Sequence, residues 1–224
     1  MAYILHLETA TKVCSVGLSH QGVEVACKEI QEEGYSHGEN LTILVEDVLK
    51  EANIGLTDIQ AVSLSSGPGS YTGLRIGAAT AKGYCYTLNI PLIAIDSLTS
   101  LCEQARKVHQ GSNLCAVLDA RRMEVYNLIQ DSEGNPVKEI SADVIEADTY
   151  SEFEPFVYFG DGAEKLQDLW SNKNCEIDSF IQSSARGQMS LAWKKFQSDE
   201  FEDVAYWEPF YLKDFIVGKP KKLI

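Results

Sequence analysis

A chain of 224 residues with 45% hydrophobic and 23% charged residues can bury a sizeable core, as one large domain or as two lobes of about 100 residues each. No apolar run nears the roughly 20 residues needed to cross a bilayer, and Met1-Ala2-Tyr3 leads into a strand pattern without a basic leader, so a cytoplasmic protein is expected. A formal charge of −14 disfavours a polyanion as direct ligand, and the six cysteines show neither C-x-x-C nor paired spacing, which excludes a zinc ribbon or a disulfide scaffold.

In chain order, Ile4 to Glu8, Cys14 to Ser19 and Val23 to Ile30 read as strands, with a hairpin signal at His20-Gln21-Gly22. The period then changes. Leu41, Leu44, Val45, Val48, Leu49 and Ala52 form a helical stripe from His37 onward, with Ser36 and Glu39 at capping-box spacing. A strand (Ala61 to Leu64), a glycine-rich loop, a helix (Leu74 to Leu88), a strand (Leu92 to Ile95) and a third helix (Ser97 to Val108) follow. This order predicts an antiparallel meander extended by parallel crossovers. Strand patterns resume at 114–118, 124–129 and 156–159, so a smaller C-terminal lobe is expected at 110–224, after an N-terminal lobe at 1–109 and a linker at Gln110-Gly111-Ser112-Asn113. Glu146 to Glu154 reads as a surface loop or weak helix. Arg186 to Gln197 reads as a late helix that packs back on the first lobe.

The loop Gly67-Pro68-Gly69-Ser70-Tyr71-Thr72-Gly73 has the place of a phosphate cradle but the wrong spacing. A dinucleotide fingerprint needs glycine at Thr72, a P-loop needs glycine there followed by lysine, and Pro68 lacks an amide donor. The helix after it is nearly bare along Gly73, Gly77 and Ala81. Glycine is costly inside a helix, so something packs closely against it: the chain's own sheet, the Leu41 to Ala52 helix, or a partner helix. The four histidines offer no i, i+4 metal pair. Glu8-Thr9 could set a carboxylate and a hydroxyl by a phosphate or equally be a strand-end turn, and Asp119 lies in a turn that a buried salt bridge explains as well. Ser70 and Gly160, the latter too short a signal alone, are the other candidates for a vestigial nucleotide or phosphate site. His37 reads as a capping-turn residue.

The segments "LETATKVCSVGL", "HGENLTILVEDVL", "SSGPGSYTGLRIGAATAKGY", "LDARRMEVYN", "YFGDGAEKL" and "EPFYLK" resemble, in the same order, those of the TsaB or YeaZ family. The resemblance implies an α/β, actin-like and RNase H-like two-lobed fold, each lobe a mixed sheet flanked by helices. It also implies a non-catalytic role in forming threonylcarbamoyladenosine beside the tRNA anticodon. The implied partners are a TsaD-like paralogue, which holds the metal, and a TsaE-like ATPase, which uses ATP. The chain itself would carry no cofactor or metal, meet tRNA only indirectly, avoid membranes, and form a homodimer in isolation. Glu8 replaces the family's usual aspartate, which fits a non-catalytic subunit.

Two functions are therefore expected to compete. In the first, helices 37–52 and 73–88 pair with those of the paralogue through residues drawn from His37, Leu41, Leu44, Val45, Val48, Arg75, Ile76, Gly77 and Ala79, several of which must face the chain's own sheet instead, and Gly77→Leu breaks the pairing while leaving the fold mostly intact. In the second, a stand-alone nucleotide hydrolase or glycoprotease-like peptidase uses Glu8, Thr9, Ser70 and Asp119. RNA contact, within an assembly, is expected only from Arg75, Arg121, Arg122 and the Lys219 to Lys222 tail.

Overall fold

The computed structural model describes residues 2–31 and 37–213. Ser36 and the Lys219 to Lys222 tail lie outside them.

The first sheet begins with β1 (Tyr3–Glu8), β2 (Val13–His20) and β3 (Val23–Gln31). Gln21 and Gly22 both take positive φ, 53° and 80°, the geometry of a tight hairpin that matches strand twist. After α1 (His37–Ala52) come β4 (Ile59–Ser65), α2 (Tyr71–Leu88) and β5 (Leu92–Ile95). The strand order is β3-β2-β1-β4-β5, antiparallel through the meander and parallel from β1 to β4 to β5.

Period-two alternation sorts this sheet's side chains between two layers. Leu5, Leu7, Val62, Leu64 and Leu92 meet α1 and α2 on one face. Ile4, Ala61, Ile93 and Ile95 meet Ala192 on the other. Ala192 belongs to α4 (Met189–Gln197), which comes after both sheets in the chain and packs against the first.

α3 (Ser97–Val108) leads into the second sheet: β6 (Asn113–Asp119), β7 (Glu124–Gln130), β8 (Pro136–Val144), β9 (Phe156–Phe159) and β10 (Cys175–Asp178). Its order, β10-β9-β6-β7-β8, repeats the first sheet's topology. The crossovers differ: where the first lobe has α1 and α2, the second has 3-10 turns at Ser151–Phe153 and Glu164–Leu166. α3 covers one face through Leu98, Leu101, Cys102 and Ala105. Trp170 fills the other, edge-on to Tyr150, Phe156 and Tyr158, geometries that suit the aromatic quadrupole. Two such sheets make the chain an actin-like, RNase H-like fold.

The C-terminal segment straps the lobes together. Glu202 bridges to Leu92, Trp207 packs on the first core, the Phe210 amide donates to Ser66 O at 2.7 Å, Leu212 packs on the second core, and Lys213 pairs with Glu124.

Candidate partner-binding face and buried polar chain

The glycine loop is fastened to the chain's own backbone. Ser70 N donates to Ala10 O at 2.6 Å and Ser97 N to Gly67 O at 3.0 Å, while Ser70 Oγ accepts from Gly73 N at 3.2 Å as the N-cap of α2. A Cβ at Gly69 would overlap Ala10 O, one at Gly73 would overlap Thr9 O, and one at Gly77 would overlap Thr9 Oγ1. The β1–β2 turn thus lies directly on α2, and α1 closes on the same turn because His37 Nε2 donates to Thr11 O at 2.8 Å. Glycine is required here for an intramolecular approach.

This geometry corrects the expected contact list. His37, Leu41, Leu44, Val45, Val48 and Gly77 are all buried, and the four aliphatic residues lie in the first core, because one amphipathic stripe cannot face sheet and partner together. Arg75 and Ala79 are exposed and Ile76 is half-buried. Gly77→Leu would drive its side chain into Thr9 and damage the fold itself.

The outward face of the two helices consists of different residues. On α1 it includes Gly38, Thr42 and Ile43, the last 54% exposed despite its apolar side chain. On α2 it includes Ile76, Ala79 and Gly83; a Cβ on Gly83 would meet nothing within 4 Å, and one on Gly38 would sit 4.0 Å from Ile76 Cδ1. The result is a low, small-residue strip with two isoleucines. Glu39 and Glu46 are exposed along α1 and Arg75 along α2, Arg75 lying over the Tyr71 ring. One sequence signal for this face was available: Ile43 is the large apolar residue that falls off the α1 stripe.

The expected phosphate-site residues form two groups. In the first lobe, Glu8 is buried, and its Oε1 accepts from Ala10 N at 2.8 Å and its Oε2 from Gln188 Nε2 at 3.3 Å; burial raises its pKa. Thr9 N donates to Ser65 Oγ at 3.3 Å, and Ser70 is the α2 cap. In the second lobe, Asp119 accepts from Arg121 N at 3.0 Å and pairs with Lys165. Gly160, at φ 102°, lets the chain pass Val117 O. These groups are engaged within the fold.

A chain of buried polar side chains also crosses the first sheet, and sequence reading did not find it. Gln188 Nε2 donates to Leu7 O at 2.9 Å, Ser63 Oγ donates to Gln188 Oε1 at 2.7 Å, and His6 lies 2.6 Å from Ser63 Oγ and 2.7 Å from Ser19 Oγ. Because Ser63 spends its proton on Gln188, His6 Nδ1 must donate to Ser63 and Nε2 must accept from Ser19. Ser63 is therefore not activated by His6 as a nucleophile would be. Burial holds His6 neutral, with its pKa lowered to about 3. Among the described residues, no three His, Cys, Asp or Glu side chains cluster to hold a metal ion.

The model of the family described as TsaD, tRNA N6-adenosine threonylcarbamoyltransferase, matches residues 31–212. The tRNA threonylcarbamoyladenosine biosynthesis protein TsaB of Escherichia coli is 28% identical over 96% of each chain. TsaB of Haemophilus influenzae is 34% identical over 55% of this chain, a match that spans about half of that relative, 51%. YeaZ from Pseudomonas aeruginosa superposes with a TM-score of 0.80 over 95% of this chain and 100% of that one at 24% identity. A dehydratase component from Acidaminococcus fermentans shares the fold at a TM-score of 0.53 and 8% identity, over 89% of this chain and 100% of that one. By the family match and its full-length relative, the chain belongs to the threonylcarbamoyltransferase family, in its TsaB or YeaZ branch.

Proposed function

We propose that this chain is a non-catalytic subunit in tRNA threonylcarbamoyladenosine formation, and that it docks through the outer face of α1 and α2 on a TsaD-like paralogue. The observation that carries this reading is the strip of Gly38, Thr42, Ile43, Ile76, Ala79 and Gly83, which would let two partner helices approach closely around exposed apolar side chains. The engagement of Glu8, Ser63, Ser70 and Asp119 within the fold supports binding over chemistry. The metal then belongs to the paralogue and ATP to a TsaE-like ATPase. Without a partner, the same strip would pair two copies of this chain. The work is cytoplasmic in this reading; no helix among the described residues is long and apolar enough to cross a membrane.

Ala79→Arg and Gly83→Trp test the interface, since neither change disturbs the described core. Each is expected to weaken co-elution with the paralogue by roughly 30-fold or more, equivalent to about 2 kcal/mol, with the melting temperature unchanged. Wild-type co-elution by both variants would refute the face.

A further inference from the structure

The β6–β7 connection is a tight turn made of arginines where the backbone favours glycine or asparagine. Ala120 N donates to Glu124 O at 3.1 Å and Glu124 N to Arg121 O at 3.2 Å, and Arg121 and Arg122 have φ of 72° and 52°. In this left-handed region Cβ crowds the carbonyl oxygen, which is why Asn-Gly suits such turns. Local packing does not explain the choice. Both arginines are exposed, and neither guanidinium has a hydrogen bond or ion pair among the described residues. The nearest acids are already engaged, Asp119 by Lys165 and Glu124 by Lys213. Lys12, exposed on the β1–β2 turn, is close enough to Asp161 for the two charges to interact, and Asp161 in turn accepts from Asp119 N at 2.9 Å. Two arginines without an acidic partner thus stand on this turn, with Lys12 nearby across Asp161, in a chain with 33 acidic residues against 19 basic ones.

Resting on the role proposed above, we propose that the Arg121-Arg122 turn, flanked by Lys12, is this subunit's contact with the RNA phosphodiester backbone in the assembled complex. Backbone strain clusters at ligand clamps and active sites, and here two bulky side chains in succession carry it. Phosphate contacts are made by exposed cations in water, whereas a protein interface needs a desolvated apolar centre. Met123 is the one exposed apolar side chain within residues 119–124.

The test is the double variant Arg121→Asn, Arg122→Gly, assembled with the paralogue and titrated with a full-length unmodified tRNA transcript at several salt concentrations. Relief of the turn is expected to raise the subunit's melting temperature by about 2–4 °C. Removal of two phosphate contacts is expected to weaken tRNA binding roughly tenfold and to flatten the log–log salt slope by about 1.5–2. A Lys107→Gln, Lys194→Gln variant, equal in charge change at exposed positions outside the turn, is expected to bind tRNA as wild type does. Unchanged affinity and slope in the turn variant would overturn the inference. A turn variant that no longer co-elutes with the paralogue, when wild type does, would also overturn it and mark the turn as a protein contact. Failure of wild type to co-elute would instead count against the subunit role itself.

Discussion

His6, on the central strand, is held between two serine hydroxyls in a fully buried site, where an imidazolium charge would lose its hydration. Its folded pKa of about 3 lies below the ordinary value of 6.5. Between those values the unfolded chain binds a proton that the folded chain refuses, so stability falls as pH drops from about 6.5 toward 3, by at most about 1.4 kcal/mol per unit. Glu8 has the opposite sign. Its pKa is raised by burial, so it weakens the fold at neutral pH, and that penalty is relieved as pH falls through the raised value toward 4.5. Urea denaturation from pH 7 to 4 is expected to show a shallower acid loss in His6→Gln than in wild type; identical slopes would mean that His6 does not govern this limb. The sequence displayed Glu8 and its neighbouring hydroxyls but not their bonding, because Gln188 lies 180 residues away from Glu8 and belongs to no local pattern.

At the level of elements, legibility followed amphipathicity. α1 was readable because its stripe is apolar and its outside charged, β1, β2, β4 and β5 because their buried runs are bounded by turn residues, and the largely exposed β3 because its β-branched residues follow a hairpin signal. β8 was missed: it starts at Pro136, has only exposed and half-buried positions, and so lacks a buried face to signal it. β10 is as short as β5 and β9, which were readable as unbroken apolar runs, but it alternates Cys175 and Ile177 with two acids and has no fully buried position. The α1 stripe named for a partner lies in the chain's own core for a related reason, since a helical stripe reports burial without naming what does the burying. Gln188 gives a test of how the segment leading back from the second sheet is secured. Its side chain bonds Leu7 O, Glu8 and Ser63, so Gln188→Leu strands buried polar groups and is expected to cost about 2–4 kcal/mol. Hydrogen exchange should quicken most in residues 185–197. A melting temperature within 1 °C of wild type would show that packing of Ala192 alone suffices.

For the molecule as a whole, a charge of −14 leaves few cations to meet a polyanion. The isolated chain is expected to show no gel shift with tRNA near physiological salt; micromolar binding that weakens steeply with added salt would contradict this. RNA contact through Arg121 and Arg122 then depends on partners to supply most of the attraction. A second sheet was legible in the strand runs that resume after residue 110, but its repetition of the first sheet's topology was not, since β8 and β10 gave no signal, and neither was the loss of long helices from this second copy. That loss limits how the chain can assemble. Two equivalent helical faces, one on each lobe, would let copies join head to tail without end, as heterologous contacts do. With helical crossovers on one lobe alone, the proposed pairing would give each chain a valence of one, so that the subunit would complete a pair and not seed a filament.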